Sequence, residues 1–151
     1  MSMQQNAALP KRIITLCGSI KFIDVMTSVA EQLELAGFEV LRPVASGEPE
    51  FTVDAERAKA IRHRLIKQHL AKIDQSVAVL VVNPPKNQVD NYIGVSTLGE
   101  MMYAFGTNKP IFILNQLPTE LDYAVDLAAL EPIELNGDLT KITTNLGACR
   151  G

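Results

Sequence analysis

The sequence predicts an α/β domain with a five-stranded parallel sheet of order 2-1-3-4-5 and helices on both faces, a flavodoxin-like three-layer sandwich. Three observations predict this fold. Short apolar runs alternate with segments of helical period, as in right-handed βαβ units. The run Val77–Val82 is apolar throughout, as expected of a central strand covered on both faces. A length of 151 residues with 47% hydrophobic residues suits one domain with a full core.

The elements follow one another with short connections. The predicted strands are Ile13–Leu16, Phe38–Leu41, Val77–Val82, Ile111–Leu114 and Ile133–Leu135. The predicted helices span residues 22–36, 54–74, 97–105 and 120–130. Gly37 suits the left-handed end of the first helix, Asp54 can cap the second, and Pro43–Pro49 has the composition of a surface loop. We predict one domain over 11–142, with flexible tails at 1–10 and 143–151.

Charge and hydropathy exclude several classes of partner. A net charge of −3 gives no general attraction to nucleic acid or to an anionic membrane. The basic side chains of the second predicted helix scatter around its axis instead of lining one side. No apolar run approaches the ~20 residues needed to span a bilayer, and residues 1–10 lack the apolar segment of a signal peptide. We therefore expect a cytoplasmic protein without nucleic-acid or membrane partners.

Cysteine and histidine are scarce in this chain. Cys17 and Cys149 show no CxxC spacing, and the histidines are His63 and His69. This inventory predicts neither a disulfide framework nor a metal site. The sequence also lacks the GxGxxG motif of dinucleotide sites and the GxxxxGK[ST] motif of nucleoside triphosphate sites. No cofactor is expected.

Glu100 follows the third predicted strand and its loop, and it has two interpretations. Thr97 and Glu100 have the spacing of a capping box, in which the glutamate closes the start of a helix. Alternatively, Glu100 carries chemistry, because a carboxylate at the start of a helix after a buried strand is typical of α/β sites. The helix is expected to pack through Leu98, Met101, Met102 and Phe105, with Glu100 directed away from that apolar arc.

The predicted strand order places two loops in one crevice. In the order 2-1-3-4-5, the helices after strands 1 and 3 lie on opposite faces, so a cleft opens beyond the carboxyl ends of these strands. Gly18 and Ser19 offer backbone N–H groups and a hydroxyl at a helix start, and Lys21 adds a cation, which together make a candidate anion site. Ser96 and Thr97 offer further donors across the cleft. A ligand held at both places would be small and carry a phosphate or a sugar.

The segment Cys17-Gly18-Ser19-Ile20-Lys21, with the glycine-containing loop around Gly94 and with Glu100, resembles the nucleoside 2-deoxyribosyltransferase family, which includes 2′-deoxynucleoside 5′-monophosphate N-glycosidases. The resemblance spans about Ile13 to Leu114. It implies that Glu100 is the nucleophile and that Ser19 and Lys21, the latter in place of an arginine, hold a 5′-phosphate. It also implies that Ser96 or Thr97 contacts the phosphate and that the protein is a homo-oligomer whose subunits share sites.

The implied reaction is attack of a carboxylate on the anomeric carbon of a deoxynucleoside, followed by release of the sugar to water or to a second base. The departing base needs a proton, and the family takes it from an aspartate near strand 3. The position that aligns with that aspartate holds His69, and Asp74 and Asp90 are the other candidate acids. A histidine can supply a proton near neutral pH.

Three further residues border the predicted cleft. Tyr92 either packs its ring on the protein or stacks on a base, Asn115 follows strand 4 and can reach a base edge, and Cys17 is a small buried residue at a strand end. Because the family's aspartate is missing, a non-catalytic nucleotide sensor is an alternative to the enzyme. A NAD-cleaving glycohydrolase is another, since similar domains use a glutamate on N-glycosidic bonds.

Overall fold

A computed structural model describes residues 11–45, 53–86 and 88–147. The tail predicted at 1–10 and the part of the predicted surface loop beyond residue 45 lie outside the described residues, as do residues 148–151.

The predicted sheet is confirmed. All pairings are parallel, and the strand order is 2-1-3-4-5. The strands are β1 (Ile13–Cys17), β2 (Glu39–Leu41), β3 (Ala78–Val81), β4 (Ile111–Ile113) and β5 (Ile133–Glu134). Their bounds differ from the predicted ones by one residue at most at either end, which is the usual uncertainty of an element end.

Helices connect the strands and cover both faces of the sheet. A short 3-10 helix, Ile20–Phe22, leads into α1 (Ile23–Leu35). The others are α2 (Ala55–Asp74), α3 (Val95–Gly106), α4 (Ala124–Ala129) and α5 (Thr140–Leu146). Asp54 caps α2 as predicted, because its carboxylate accepts a hydrogen bond of 2.8 Å from the Arg57 N–H. Gly37 has the predicted left-handed backbone, with φ of 99°.

The sheet separates two hydrophobic clusters, and β3 contributes to both. Leu80 packs with Met26 and Phe112 on the α1 and α5 side, whereas Val79 and Val81 pack on the α2 and α3 side. Every residue of β3 is buried. The prediction of a central strand covered on both faces is therefore confirmed. Each large apolar side chain buried in this way contributes about 1.5–3 kcal/mol to folding.

The predicted start of α3 is wrong. The helix begins at Val95 with Gly94 as its N-cap, and no side chain caps it. The first helical hydrogen bond runs from the Leu98 N–H to the Gly94 carbonyl at 2.9 Å. The chain is fixed just before this point, because Ile93 is buried and its carbonyl accepts a 2.6 Å hydrogen bond from the Tyr123 hydroxyl. Glu100 therefore lies in the second turn of α3, where it cannot act in a capping box.

The predicted packing face of α3 is wrong at two positions. Thr97, Met101 and Ala104 are the buried residues of the helix, at steps of four and three. Met102 and Phe105 are about half exposed, at 46% and 53%. The predicted apolar arc included Met102 and Phe105 because α3 carries apolar side chains on its exposed faces as well as on the face that packs against the sheet. Their exposure is compatible with the predicted homo-oligomer, which stays a prediction that sedimentation of the protein can test.

The end of the described chain is helical, whereas a tail was predicted from residue 143. Helix α5 extends to Leu146, which packs against the core, and Ile142 is fully buried. Asp138 accepts hydrogen bonds from the Thr140 N–H and hydroxyl, which lower the pKa of its carboxyl. Arg12 donates to the carbonyls of Leu146 and Gly147. The contacts of Arg12 join residues that are far apart in the sequence, so the pattern of apolar residues does not predict them.

In the part of the chain that the structure describes, none of the helices combines the length and the apolar character that crossing a bilayer requires.

Gly18 offers a test of how closely β1 and β3 end together. A Cβ at this position would lie 2.8 Å from the Val82 carbonyl oxygen and 3.0 Å from the Met26 methyl, and the backbone φ is 153°. We expect Gly18→Ala to lower the free energy of unfolding by about 1–3 kcal/mol. Gly99→Ala is the matched control, since nothing lies within 4 Å of its Cβ and it is inside α3. It should raise the free energy by about 0.5–1 kcal/mol. Urea unfolding measures both, and equal values for the two variants would contradict the close approach.

Candidate active site

A cleft of about 1090 Å³ opens at the carboxyl ends of the central strands, where the strand order predicts it. Cys17, the last residue of β1, pairs in register with Val81, the last residue of β3. The loops that follow these strands consequently form facing walls of one cleft. The predicted site residues on its wall are Gly18, Ser19, Lys21, His69, Tyr92, Gly94, Ser96, Thr97 and Glu100.

Glu100 meets two buried groups at the floor of the cleft. Its Oε2 lies 3.1 Å from His69 Nε2, and the Cys17 Sγ lies 3.6 Å from the same nitrogen. The His69 side chain is 9% exposed and that of Glu100 is 18% exposed. The contact between the carboxylate and the imidazole has the length of an ion pair but not the geometry of a hydrogen bond. Among the described residues, neither Glu100 Oε2 nor His69 Nδ1 has a hydrogen-bond partner.

Cys17 closes the floor from below. It is fully buried, and this burial raises the pKa of its thiol well above the usual value, with a further contribution from the carboxylate of Glu100 beside it. A thiol held in its protonated form is a poor nucleophile. Cys17 is not among the residues of the described cleft wall, and it contacts His69 from the end of β1.

The first wall of the cleft is the turn after β1. Gly18 lets this turn pass close to the backbone of Val82. The Ser19 hydroxyl accepts a hydrogen bond of 3.3 Å from the Lys21 N–H and so caps the short 3-10 helix. Ser19 and Lys21 both line the cleft. The turn consequently contributes a hydroxyl and an ammonium group to the wall of the cleft that Glu100 also lines.

The opposite wall is the loop from β3 to α3, which depends on Asn83. This buried amide donates to the carbonyls of Asn91 and Gln116, at 3.3 and 2.9 Å, and accepts from the Asn115 N–H at 3.0 Å. Asn115 in turn donates its side-chain amide to the Asn83 carbonyl. Asn115 is thus engaged in holding the loops together and does not lie on the described wall of the cleft.

Sequence reasoning missed Asn83 and Tyr123, which position this loop. A polar residue that directly follows the apolar run of β3 was the available signal for Asn83. Nothing local indicated that Tyr123, thirty residues away, would donate to the Ile93 carbonyl. Together they determine where α3 begins and hence the position of Glu100.

Tyr92 lies on the cleft wall, and its ring is close to Lys86 and Gly94. The Lys86 ammonium lies 5.0 Å from the ring centroid, in a cation–π contact. Gly94 is close enough that a Cβ there would lie 3.4 Å from the Tyr92 ring. The ring is therefore packed on its own loop and also faces the cleft, so the two interpretations of Tyr92 are compatible.

The structure does not bring Asp74 and Asp90 to the cleft wall that it describes. Asp74 ends α2 and accepts a 2.5 Å hydrogen bond from the Tyr103 hydroxyl, while its carbonyl accepts from Lys109. Asp90 is exposed in the turn that follows the bridge between Lys86 and Val89. Of the three candidate acids, His69 is the one in contact with Glu100.

The cleft has an excess of positive charge. The basic side chains on its described wall are Lys21, Arg62, Lys72 and Lys86. Glu100 is the one carboxylate among the described lining residues. Lys72 donates to the Arg42 carbonyl at 2.7 Å, and burial lowers the pKa of its ammonium group. This distribution favours an anionic ligand even though the whole chain carries a charge of −3.

Comparison with solved structures finds proteins with a similar fold. A structure described as a 2-deoxyribosyltransferase of the psychrotolerant bacterium Bacillus psychrosaccharolyticus aligns over 81% of this chain and 97% of its own, with 16% identity and a TM-score of 0.51. This chain has the same fold. The resemblance drawn from the sequence is therefore confirmed at the level of the fold.

A conserved protein of Enterococcus faecalis V583 aligns over 81% of this chain and 76% of its own, with 14% identity and a TM-score of 0.49. No protein-family model and no curated protein matches the chain.

Proposed function

We propose that this protein cleaves or exchanges the N-glycosidic bond of a deoxynucleoside or its 5′-monophosphate, with Glu100 as the nucleophile, as a member of the nucleoside 2-deoxyribosyltransferase family. The observation that carries the proposal is the position of Glu100. It is the one carboxylate on the described cleft wall, it contacts His69 at 3.1 Å, and it lies between the Gly18–Ser19 turn and the start of α3.

The two carboxylate oxygens of Glu100 have different surroundings, and this difference assigns the attacking atom. Glu100 Oε2 is buried against His69, while the side chain as a whole borders the cleft. Oε1 is accordingly the oxygen that attacks the anomeric carbon, and it forms a glycosyl ester. The bonding pair of the breaking C–N bond goes to the base. Water or a second base then attacks the same carbon, and the ester bond breaks to regenerate the carboxylate.

His69 is the group that we assign to protonate the departing base. It replaces the family's aspartate at the corresponding position and lies beside Glu100. A proton held on the imidazole passes to the base as the C–N bond breaks, so that the base leaves as a neutral molecule. The same imidazole orients the carboxylate before attack.

The positive cleft supports a phosphate on the substrate. Ser19 supplies a hydroxyl and Lys21 an ammonium group on one wall, and Ser96 lies across from them at the start of α3. Charge-assisted hydrogen bonds of this kind contribute about 1.5–3 kcal/mol each. The 5′-monophosphates are thus preferred over free nucleosides in this proposal.

Replacement of Glu100 tests the nucleophile. Glu100→Gln keeps the shape of the side chain but removes its charge, so we expect release of free base to fall at least about 10³-fold. The measurement is chromatography of base released from deoxynucleosides, their monophosphates and NAD. Glu120→Gln, at an exposed position, is the matched control and should keep the wild-type rate.

Binding separates the rival functions in the same experiment. Base released from NAD alone would favour a NAD-cleaving glycohydrolase. Calorimetric binding of a nucleotide without release of any base, at equal affinity in wild type and Glu100→Gln, would favour a sensor and contradict the proposed catalysis.

His69 is tested by changing the leaving group. We expect His69→Gln to slow cleavage of natural deoxynucleotides by about 10²–10⁴-fold, because their bases leave with a proton. A p-nitrophenyl 2-deoxyriboside, whose phenolate leaves unprotonated, should lose less than about tenfold. His63→Gln, on the exposed side of α2, is the control. Equal losses on both substrates would assign His69 to positioning alone.

The phosphate contact is tested on Ser19 and Lys21 together. The double variant Ser19→Ala, Lys21→Ala should lower kcat/KM for deoxynucleoside monophosphates by about 10²-fold, because two contacts to the phosphate are lost. Free deoxynucleosides should change less than about threefold. Lys59→Ala, an exposed cation of α2 that does not line the described cleft, is the charge control. Equal losses for both kinds of substrate would overturn the assignment.

A further inference from the structure

Cys17, His69 and Glu100 bring a thiol, an imidazole and a carboxylate together at the cleft floor, and they lie on β1, α2 and α3. One donor atom from each residue lies within 4.8 Å of the other two. These are the ligand types that zinc takes from proteins. The three elements are packed in one hydrophobic cluster, which holds the donor atoms on a rigid frame.

The spacing of the donors fits a tetrahedral ion. With zinc bonds of about 2.3 Å to sulfur and about 2.0–2.1 Å to nitrogen, tetrahedral ligands would have S and N about 3.6 Å apart, and N and O about 3.4 Å apart. The observed distances are 3.6 Å from Cys17 Sγ to His69 Nε2 and 3.1 Å from His69 Nε2 to Glu100 Oε2. Both distances lie within a few tenths of an ångström of the tetrahedral values, and the donor atoms of Cys17 and Glu100 lie within 4.8 Å of each other.

Cys17 Sγ and His69 Nε2 are hydrogen-bonded to each other at 3.6 Å, and a bound ion would replace that contact. Glu100 Oε2 is buried, and it has no hydrogen-bond partner among the described residues. A buried carboxylate oxygen without a hydrogen bond is costly in free energy, and a cation removes that cost. Glu100 and His69 both line the cleft, so an ion bound to them would lie at its floor.

We propose that these three side chains bind one Zn²⁺ ion per chain, with a fourth position open to the cleft. The ion replaces the proton of the Cys17 thiol and any proton on His69 Nε2, and these protons pass to the buffer. It then bonds to Sγ, to His69 Nε2 and to a carboxylate oxygen of Glu100. Nothing is oxidised, and the two anionic ligands neutralise the charge of the ion. Counting cysteines and histidines along the sequence predicts no metal site, because the fold alone brings these residues together.

The bound ion would block the proposed catalysis. A carboxylate with Oε2 bound to zinc is a much weaker nucleophile through Oε1, because the ion withdraws its negative charge. An imidazole that ligates through Nε2 cannot deliver a proton from that atom. This consequence rests on the proposed function, whereas binding of the ion does not. Since His69 Nδ1 lacks a partner among the described residues, the site lacks one outer-shell contact that usually strengthens zinc sites. We therefore expect a Kd on the order of micromolar.

The test is a titration of the metal-free protein with Zn²⁺ in competition with a chromophoric chelator, together with the absorption spectrum of the Co²⁺ form. Wild type should bind one ion, and the Co²⁺ spectrum should contain a thiolate charge-transfer band and tetrahedral d–d bands. Cys17→Ser should abolish the charge-transfer band, and Cys17→Ser, His69→Gln and Glu100→Gln should each weaken binding at least about tenfold.

Two matched controls come from the same chain. Cys149→Ser and His63→Gln remove the other cysteine and the other histidine and should bind as wild type does. Unchanged binding in Cys17→Ala and Cys17→Ser, or loss of binding in Cys149→Ser, would overturn the proposal. Base release measured with added Zn²⁺ completes the test. Zinc binding without any base release would refute the proposed function and leave the metal site standing, whereas base release without zinc binding would do the reverse.

Discussion

The parallel pairing of β1 with β3 is the constraint on which the rest of this molecule depends. It places Cys17 opposite Val81, so that two strands end at one edge of the sheet. The helices that follow them then cover opposite faces, with α1 in one hydrophobic cluster and α3 in the other. The cleft is the space that this divergence leaves. Because the turn after β1 passes close to the end of β3, a glycine is required at position 18.

The polar groups at the cleft floor lie directly against the hydrophobic core. Cys17 belongs to the same hydrophobic cluster as Met101 and Ile73, and Glu100 and His69 rest on that cluster. A charged group at such a place loses hydration, which favours its attraction to a partner of opposite charge or to a substrate. The same burial raises the pKa of the Cys17 thiol. The described cleft wall therefore has one carboxylate, on a largely apolar support.

The sequence is informative wherever the signal is local or comes from topology. The run of β3, the helix cap at Asp54 and the strand order can be predicted because periodicity and βαβ handedness act over short stretches. The positions of Asn83, Tyr123 and the Cys17–His69–Glu100 group cannot be predicted in this way, because they depend on contacts between distant segments. Cys17 and His69, for example, are separated by 52 positions. The predicted start of α3 was wrong for the same reason. Tyr123, the N-cap residue of α4, donates a hydrogen bond to the Ile93 carbonyl and so fixes the chain just before α3.

The two interpretations of Glu100 differ in where its carboxylate must point, and the helix start excludes the capping box. With Gly94 as the N-cap, Glu100 is six residues into α3, so its carboxylate cannot reach the cap backbone. Its described partners lie instead on α2 and at the end of β1. A group positioned by two other elements depends on the tertiary fold for its geometry, which is what a nucleophile and a metal ligand both require. If both proposals hold, one carboxylate cannot serve both roles at once, so substrate turnover and zinc occupancy would exclude each other.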